Sequence, residues 1–148
     1  MNYENVEILF VEDSIDDATL TIRALTKSGF TRKLHHVKDG AEALEYMYCT
    51  GAYALRNPKE HPKLILLDLK MPKVSGLQVL EKIKSDQALK SIPVVILTSS
   101  QEDPDITRCY ELGANSYIVK PVESDNFFHA IKEIGMYWMI LSQHSSKS

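Results

Sequence analysis

Asp68 closes an apolar run, Leu64-Ile65-Leu66-Leu67, and three other apolar runs end in a polar residue of the same reactive kind. Ile8-Leu9-Phe10-Val11 delivers Glu12 and Asp13, Val94-Val95-Ile96-Leu97 delivers Thr98, and Tyr117-Ile118-Val119 delivers Lys120, followed by Pro121. Laid side by side as parallel strands, these runs would set three carboxylates, a hydroxyl and an ammonium on one rim, the place where open α/β sheets bind ligands. Carboxylate oxygens suit a hard divalent cation, and Mg²⁺ is commonly held by one or two carboxylates plus waters next to phosphoryl groups. An aspartate can attack a phosphoryl donor to form an acyl phosphate. What remains of phosphoryl transfer is placement and charge neutralisation, for which Lys120 offers a compact positive charge and Thr98 a hydroxyl donor. Without a cation, Glu12, Asp13 and Asp68 would repel one another and favour partial protonation. Singly, each residue has a plainer use: an acidic helix cap, a turn aspartate, a capping threonine, a solvated lysine. Four strand ends agreeing in order and chemistry is what those plain uses leave unexplained.

The elements that must hold this rim can be read between the runs. The runs are continuous rather than alternating, as for strands covered on both faces, and helical patterns separate them, which favours a parallel sheet. Ser14 suits an N-cap with Asp17 three residues on, the helix closing at Gly29. Lys33 to Val37, with polar His35 and His36, suits an edge strand. Asp39 or Gly40 opens a helix through Ala43, Leu44, Tyr46 and Met47, and Ser75-Gly76 opens another carrying Leu77, Val79, Leu80 and Ile83. Asp103-Pro104 reads as N-cap and first residue of a fourth helix closed by Gly113. The last begins near Glu123 with Phe127, Phe128, Ile131 and Ile134. Five strands and five helices result, a single domain over residues 1–148 with its core at about 5–135. Two stretches depart from this alternation. Thr50 to Pro62 is a long polar connection. Gly135 to Leu141 carries the last helix onward as an extension (136–142), apolar nearly all round, so one face needs cover; 143–148 is a flexible tail.

Bulk properties set broad bounds. The 148 residues are 44% apolar and 25% charged, an ordinary globular composition that argues against disorder. A net charge of -3 disfavours nucleic acid as the main partner. The start lacks a basic segment and its apolar run breaks at Glu12, leaving no signal peptide and no membrane-spanning candidate. Cys49 and Cys109 have no metal-ligand spacing and read as packing residues of a reduced, cytoplasmic protein.

With these residues in view, the chain resembles a receiver domain of two-component response regulators, CheY-like, over nearly its whole length. Leu9-Phe10-Val11-Glu12-Asp13, Leu66-Leu67-Asp68-Leu69-Lys70-Met71-Pro72 with Gly76, Leu97-Thr98-Ser99 and Tyr117-Ile118-Val119-Lys120-Pro121 carry the resemblance. It implies a flavodoxin-like, doubly wound (βα)5 fold with a central five-stranded parallel sheet in the order 2-1-3-4-5. It also implies that Asp68 accepts a phosphoryl group from a histidine kinase. One Mg²⁺ would bind Asp13 directly, Glu12 often through water, Asp68, and the backbone carbonyl of Lys70. Lys120 and Thr98 would assist, and the Lys120-Pro121 peptide would be cis. Thr98 would then move toward the phosphoryl oxygen and Tyr117 into the space it leaves, switching a protein-interaction surface.

Several features refine that implication. The acidic pair is Glu-Asp rather than the commoner Asp-Asp. Lys70 and Ser100 occupy positions that tune the lifetime of the phosphorylated state in the family. No helix-turn-helix follows, so DNA binding in cis is not expected, and output would pass to a downstream protein or phosphotransfer partner. The long connection before Leu64 and the Tyr137-Trp138 segment resemble regulators paired with phytochrome-type histidine kinases. On that likeness Trp138, Met139 and Leu141 are candidates to bury against a twin subunit in a homodimer. Two rivals stand beside this reading. A hydrolase of the haloacid dehalogenase type would want a second aspartate where Lys70 stands, so no enzyme is expected beyond the chain's own phosphorylation and dephosphorylation. A receiver-like module that binds proteins independently of phosphorylation is the other.

Overall fold

The computed structural model describes residues 6–27 and 33–136. Among them, strands β1 (Ile8–Val11), β2 (Leu34–Val37), β3 (Leu64–Asp68), β4 (Val94–Thr98) and β5 (Ser116–Val119) form one parallel sheet in the order β2-β1-β3-β4-β5. Helices α1 (Ile15–Lys27), α2 (Gly40–Tyr48), α3 (Gly76–Lys84), α4 (Asp105–Leu112) and α5 (Ser124–Glu133) alternate with the strands. This is the flavodoxin-like, CheY-type architecture. None of the described helices is long and apolar enough to cross a membrane.

The continuous apolar runs have a direct physical explanation. Alternate residues of one strand point to opposite faces. Leu9, Val11, Ile65, Leu67, Val94 and Ile96 enter a core shared with Tyr46, Val79, Leu80 and Ile83 of α2 and α3. Ile8, Phe10, Leu64, Leu66, Val95 and Leu97 enter a second core with Leu25, Phe127 and Ile131 of α1 and α5. Both faces being covered, every residue of β1, β3 and β4 is buried. The edge strands β2 and β5 are only partly so, which is why polar His35 and His36 are tolerated in β2.

Caps fix where the helices leave the rim. Ser14 Oγ accepts the Asp17 N–H at 3.2 Å, and Asp39 Oδ1 accepts that of Glu42 at 2.7 Å. Ser75 and Gln78 form a reciprocal capping box on α3. The first residue of that helix, Gly76, approaches β3 so closely that a Cβ would lie 2.3 Å from the Asp68 carbonyl oxygen. The regular part of α4 begins at Asp105, one residue beyond the sequence expectation, yet Pro104 is already helical and Asp103 Oδ1 accepts the Asp105 N–H at 2.9 Å. Gly113 closes α4 at φ 110°.

The connection from Thr50 to Pro62 is anchored rather than loose. Buried Tyr53 sits in a 3₁₀ turn (Gly51–Tyr53). Buried Arg56 donates to the Tyr46 and Glu60 carbonyls and stacks 4.1 Å over the Tyr46 ring. The last helix differs from expectation. It ends at Glu133, with Gly135 at φ 79°, so it does not run on unbroken through Gly135 into Met136, which instead folds back into the second core. Phe128, one of the apolar residues of this helix, is 40% exposed. Gly29, the expected close of α1, and Trp138, Met139 and Leu141 lie outside the described residues.

Candidate functional site

Register brings the polar residues together. Val11 pairs with Leu67, Asp68 with Leu97, and Thr98 with Val119, so four strands end level at one edge. The ladder holds to the last residue: Leu69 N–H donates to the Leu97 carbonyl at 3.0 Å and Lys120 N–H to that of Thr98 at 2.7 Å. The Lys120–Pro121 peptide just beyond is cis. Carboxylate oxygens of Glu12, Asp13 and Asp68 lie within 4.8 Å of one another, Glu12 and Asp68 buried and Asp13 exposed.

Lys120 is the hub of this cluster. Its Nζ stands 2.9 Å from Glu12 Oε1, 3.0 Å from Asp68 Oδ1 and 3.2 Å from Asp17 Oδ2. The contact with Glu12 Oε1 is one of charge without hydrogen-bond geometry, and that buried oxygen accepts no hydrogen bond. Burial pushes the Asp68 carboxyl well above the usual carboxylate range; Lys120 pulls it back and the Glu12 charge adds to the rise. For Lys120, burial works downward, but the carboxylates of Glu12 and Asp68 outweigh it and hold the ammonium firmly protonated. Three carboxylates and one ammonium leave the rim short of positive charge. The close-set carboxylate oxygens therefore fit a hard divalent cation.

On the far side of Asp68, a cavity of about 90 Å³ is lined by Asp68, Lys70, Thr98, Ser99, Asp103 and Lys120 among others. Two larger cavities lie elsewhere, one of about 300 Å³ at the opposite ends of the strands beside Glu7 and Arg56, one of about 450 Å³ between α1 and the segment after β5. The rim chemistry sits in the smallest of the three. Thr98 Oγ1 donates to the Ser100 carbonyl at 3.1 Å. Tyr117, half-buried in β5, meets Tyr110 edge to face with ring centroids 6.3 Å apart.

Sequence reasoning gathered Glu12, Asp13, Asp68, Thr98 and Lys120, and the structure places them on one rim. It missed two residues as members of the site. The sequence marks Asp17 only as a partner of the Ser14 cap and Asp103 only as a cap of α4. Asp17 is one of two acidic residues in the first turn of α1, and nothing in the sequence marks it as a partner of Lys120.

Residues 8–132 match the response regulator receiver domain family. The chain is 40% identical over 134 residues to the probable methanogenesis regulatory protein FilR2 of Methanothrix harundinacea, covering 89% of this chain and 83% of that protein. It is 38% identical over 132 residues to the response regulator Rcp1 of Synechocystis, covering 89% and 88%. Among solved structures it is similar to the bacteriophytochrome response regulator AtBRR, with 48% identity, a TM-score of 0.82 and coverage of 91% and 96%. It is also similar to the Mn(2+)-bound form of Rcp1, with 37% identity, a TM-score of 0.71 and coverage of 88% and 92%. Sheet order, the acidic rim and these likenesses agree: the chain belongs to the response regulator receiver domain family.

Proposed function

We propose that the chain is the phosphoacceptor of a two-component phosphorelay in the cytoplasm, taking a phosphoryl group from a histidine kinase onto Asp68. The observation that carries this is the cluster of Glu12, Asp13 and Asp68 oxygens within 4.8 Å, bridged by Lys120. An Asp68 oxygen attacks phosphorus as the bond to the donor's histidine nitrogen breaks, and the leaving imidazole keeps that electron pair. A Mg²⁺ held by Glu12, Asp13, Asp68 and the Lys70 carbonyl would neutralise charge on the transferring group. Lys120, 3.0 Å from Asp68 Oδ1, is placed to pair with a phosphoryl oxygen. Thr98 then exchanges the Ser100 carbonyl for a phosphoryl oxygen, and Tyr117 follows into the space it leaves, altering the surface of α4, β5 and α5. The chain in this reading catalyses only its own phosphorylation and dephosphorylation, and its output passes to a downstream protein or phosphotransfer partner rather than to DNA.

Likeness to the bacteriophytochrome response regulator AtBRR supports a phytochrome-type histidine kinase as the donor. The test is incubation with Mg²⁺ and acetyl phosphate, followed by intact mass of wild type and Asp68→Asn. One phosphoryl adduct, absent from the variant and absent without metal, is the expected result. No adduct from any small donor would leave a module that binds its partner without phosphorylation.

A further inference from the structure

Asp103 reaches the cavity beside Asp68 from the loop after β4, and the acceptor chemistry gives it nothing to do. Its side chain is only 4% exposed, and its two oxygens are divided between tasks. Oδ1 accepts the Asp105 N–H at 2.9 Å and caps α4. Oδ2 lies 3.4 Å from Lys70 Nζ and 3.5 Å from Thr98 Oγ1. A helix cap needs one oxygen. The second, buried against two donors at the phosphoryl cavity, is not explained by capping.

We propose that Asp103 is a positioning residue that sets how fast the site accepts a phosphoryl group. This rests on the reading of Asp68 as acceptor. Before transfer, Oδ2 holds the Lys70 ammonium and, as the more distant acceptor beside the Ser100 carbonyl, shares the Thr98 hydroxyl, keeping both away from where phosphoryl oxygens will stand. Its own negative charge also opposes an anionic donor entering a cavity of about 90 Å³. After transfer, the phosphoryl oxygens compete for both donors, and like charge repels the Asp103 carboxylate. Because Oδ1 is bonded to the first turn of α4, displacement of Asp103 is passed directly to that helix. Asp103 thus couples the rate of phosphoryl entry to the position of α4.

Asp103→Asn and Asp103→Ser each keep a capping oxygen while removing the charge. The full chain, with Mg²⁺, is followed by intact mass over time with two donors: acetyl phosphate, a dianion near neutral pH, and phosphoramidate, which carries less negative charge. Both variants are expected to form the adduct about three- to ten-fold faster than wild type with acetyl phosphate, and by a smaller factor with phosphoramidate. In a Lys70→Met background the same substitutions should accelerate less, since one of the two restrained donors is already gone. Variants no faster than wild type, or equally accelerated with both donors, would overturn the role of Asp103. A wild type that forms no adduct at all strikes instead at Asp68 as acceptor, and the inference goes with it.

Discussion

Lys120 holds Glu12, Asp17 and Asp68 with one ammonium, so the metal-free rim carries more negative charge than its lysine can balance. The proposed acceptor chemistry requires that imbalance, because it is what would draw a cation to the rim. The same imbalance costs stability: burial and Glu12 disfavour the charged form of Asp68 in the folded chain but not in the unfolded one. Asp68→Asn is therefore expected to stabilise the metal-free protein by about 1 kcal/mol, roughly 3 °C in melting temperature for a domain of this size. Added Mg²⁺ should stabilise wild type and narrow that gap. Thermal melts of both proteins with and without Mg²⁺ test this; a destabilised variant in the metal-free state would contradict it. Asp17 differs from the other two carboxylates that Lys120 meets, being 42% exposed at its side chain and outside the acidic trio. Asp17→Asn should leave the unfolding free energy within about 0.5 kcal/mol of wild type, as for an exposed pair, with adduct formation on Asp68 retained.

Two elements carry the positioning of the rim. The start of α3 leans on the end of β3, and the missing side chain of Gly76 is what allows it. Gly76→Ala would drive a Cβ into the backbone of Asp68 and Leu69, where no side chain can yield. A loss of about 1–3 kcal/mol is expected, as for overpacking, with slower phosphorylation because Asp68 itself is displaced. Denaturant melts alongside adduct kinetics would show whether both fall together. At the other edge, β2 presents His35 against the Tyr46 and Tyr53 rings, with its Nε2 2.9 Å from the Tyr53 hydroxyl, which donates to Glu42. Burial lowers the His35 pKa; Glu42 opposes this, while His36 and Arg56 add to it. The unfolded chain therefore takes up the proton first as pH falls, so the His35 contribution is whole above the ordinary histidine value of about 6.5 and is lost below it. Between pH 7.5 and 5.5, wild type should lose more melting temperature than His35→Gln; equal losses would remove His35 from the account.

At the scale of the whole molecule, one sheet separates two cores, and the acidic rim lies where that sheet ends. The apolar segment at Met136 to Leu141 prompts a prediction about assembly: sedimentation should find wild type as a homodimer and Trp138→Ala shifted toward monomer, whereas a monomeric wild type ends the idea. The strands and their polar ends were legible in the sequence because strands buried on both faces must be apolar throughout, and the rim chemistry demands particular residue types just beyond them. Helix starts at Ser14, Asp39 and Ser75 were legible because capping is local chemistry. The stop of α5 at Glu133 was not, since the apolar pattern persists in the sequence after Gly135 while the backbone at Gly135 itself turns left-handed. Nor was the exposure of Phe128, which depends on how far α5 is rolled against the sheet. Asp17 and Asp103 were legible only as caps, because a carboxylate beside a helix start looks the same whether or not its other oxygen has a distant partner. The sequence by itself determined the strand runs, the caps and which residues could handle a phosphoryl group. Only the tertiary structure decided that Lys120 gathers three carboxylates and that Asp103 meets Thr98 and Lys70, because those contacts join residues distant in the chain through the register of a parallel sheet.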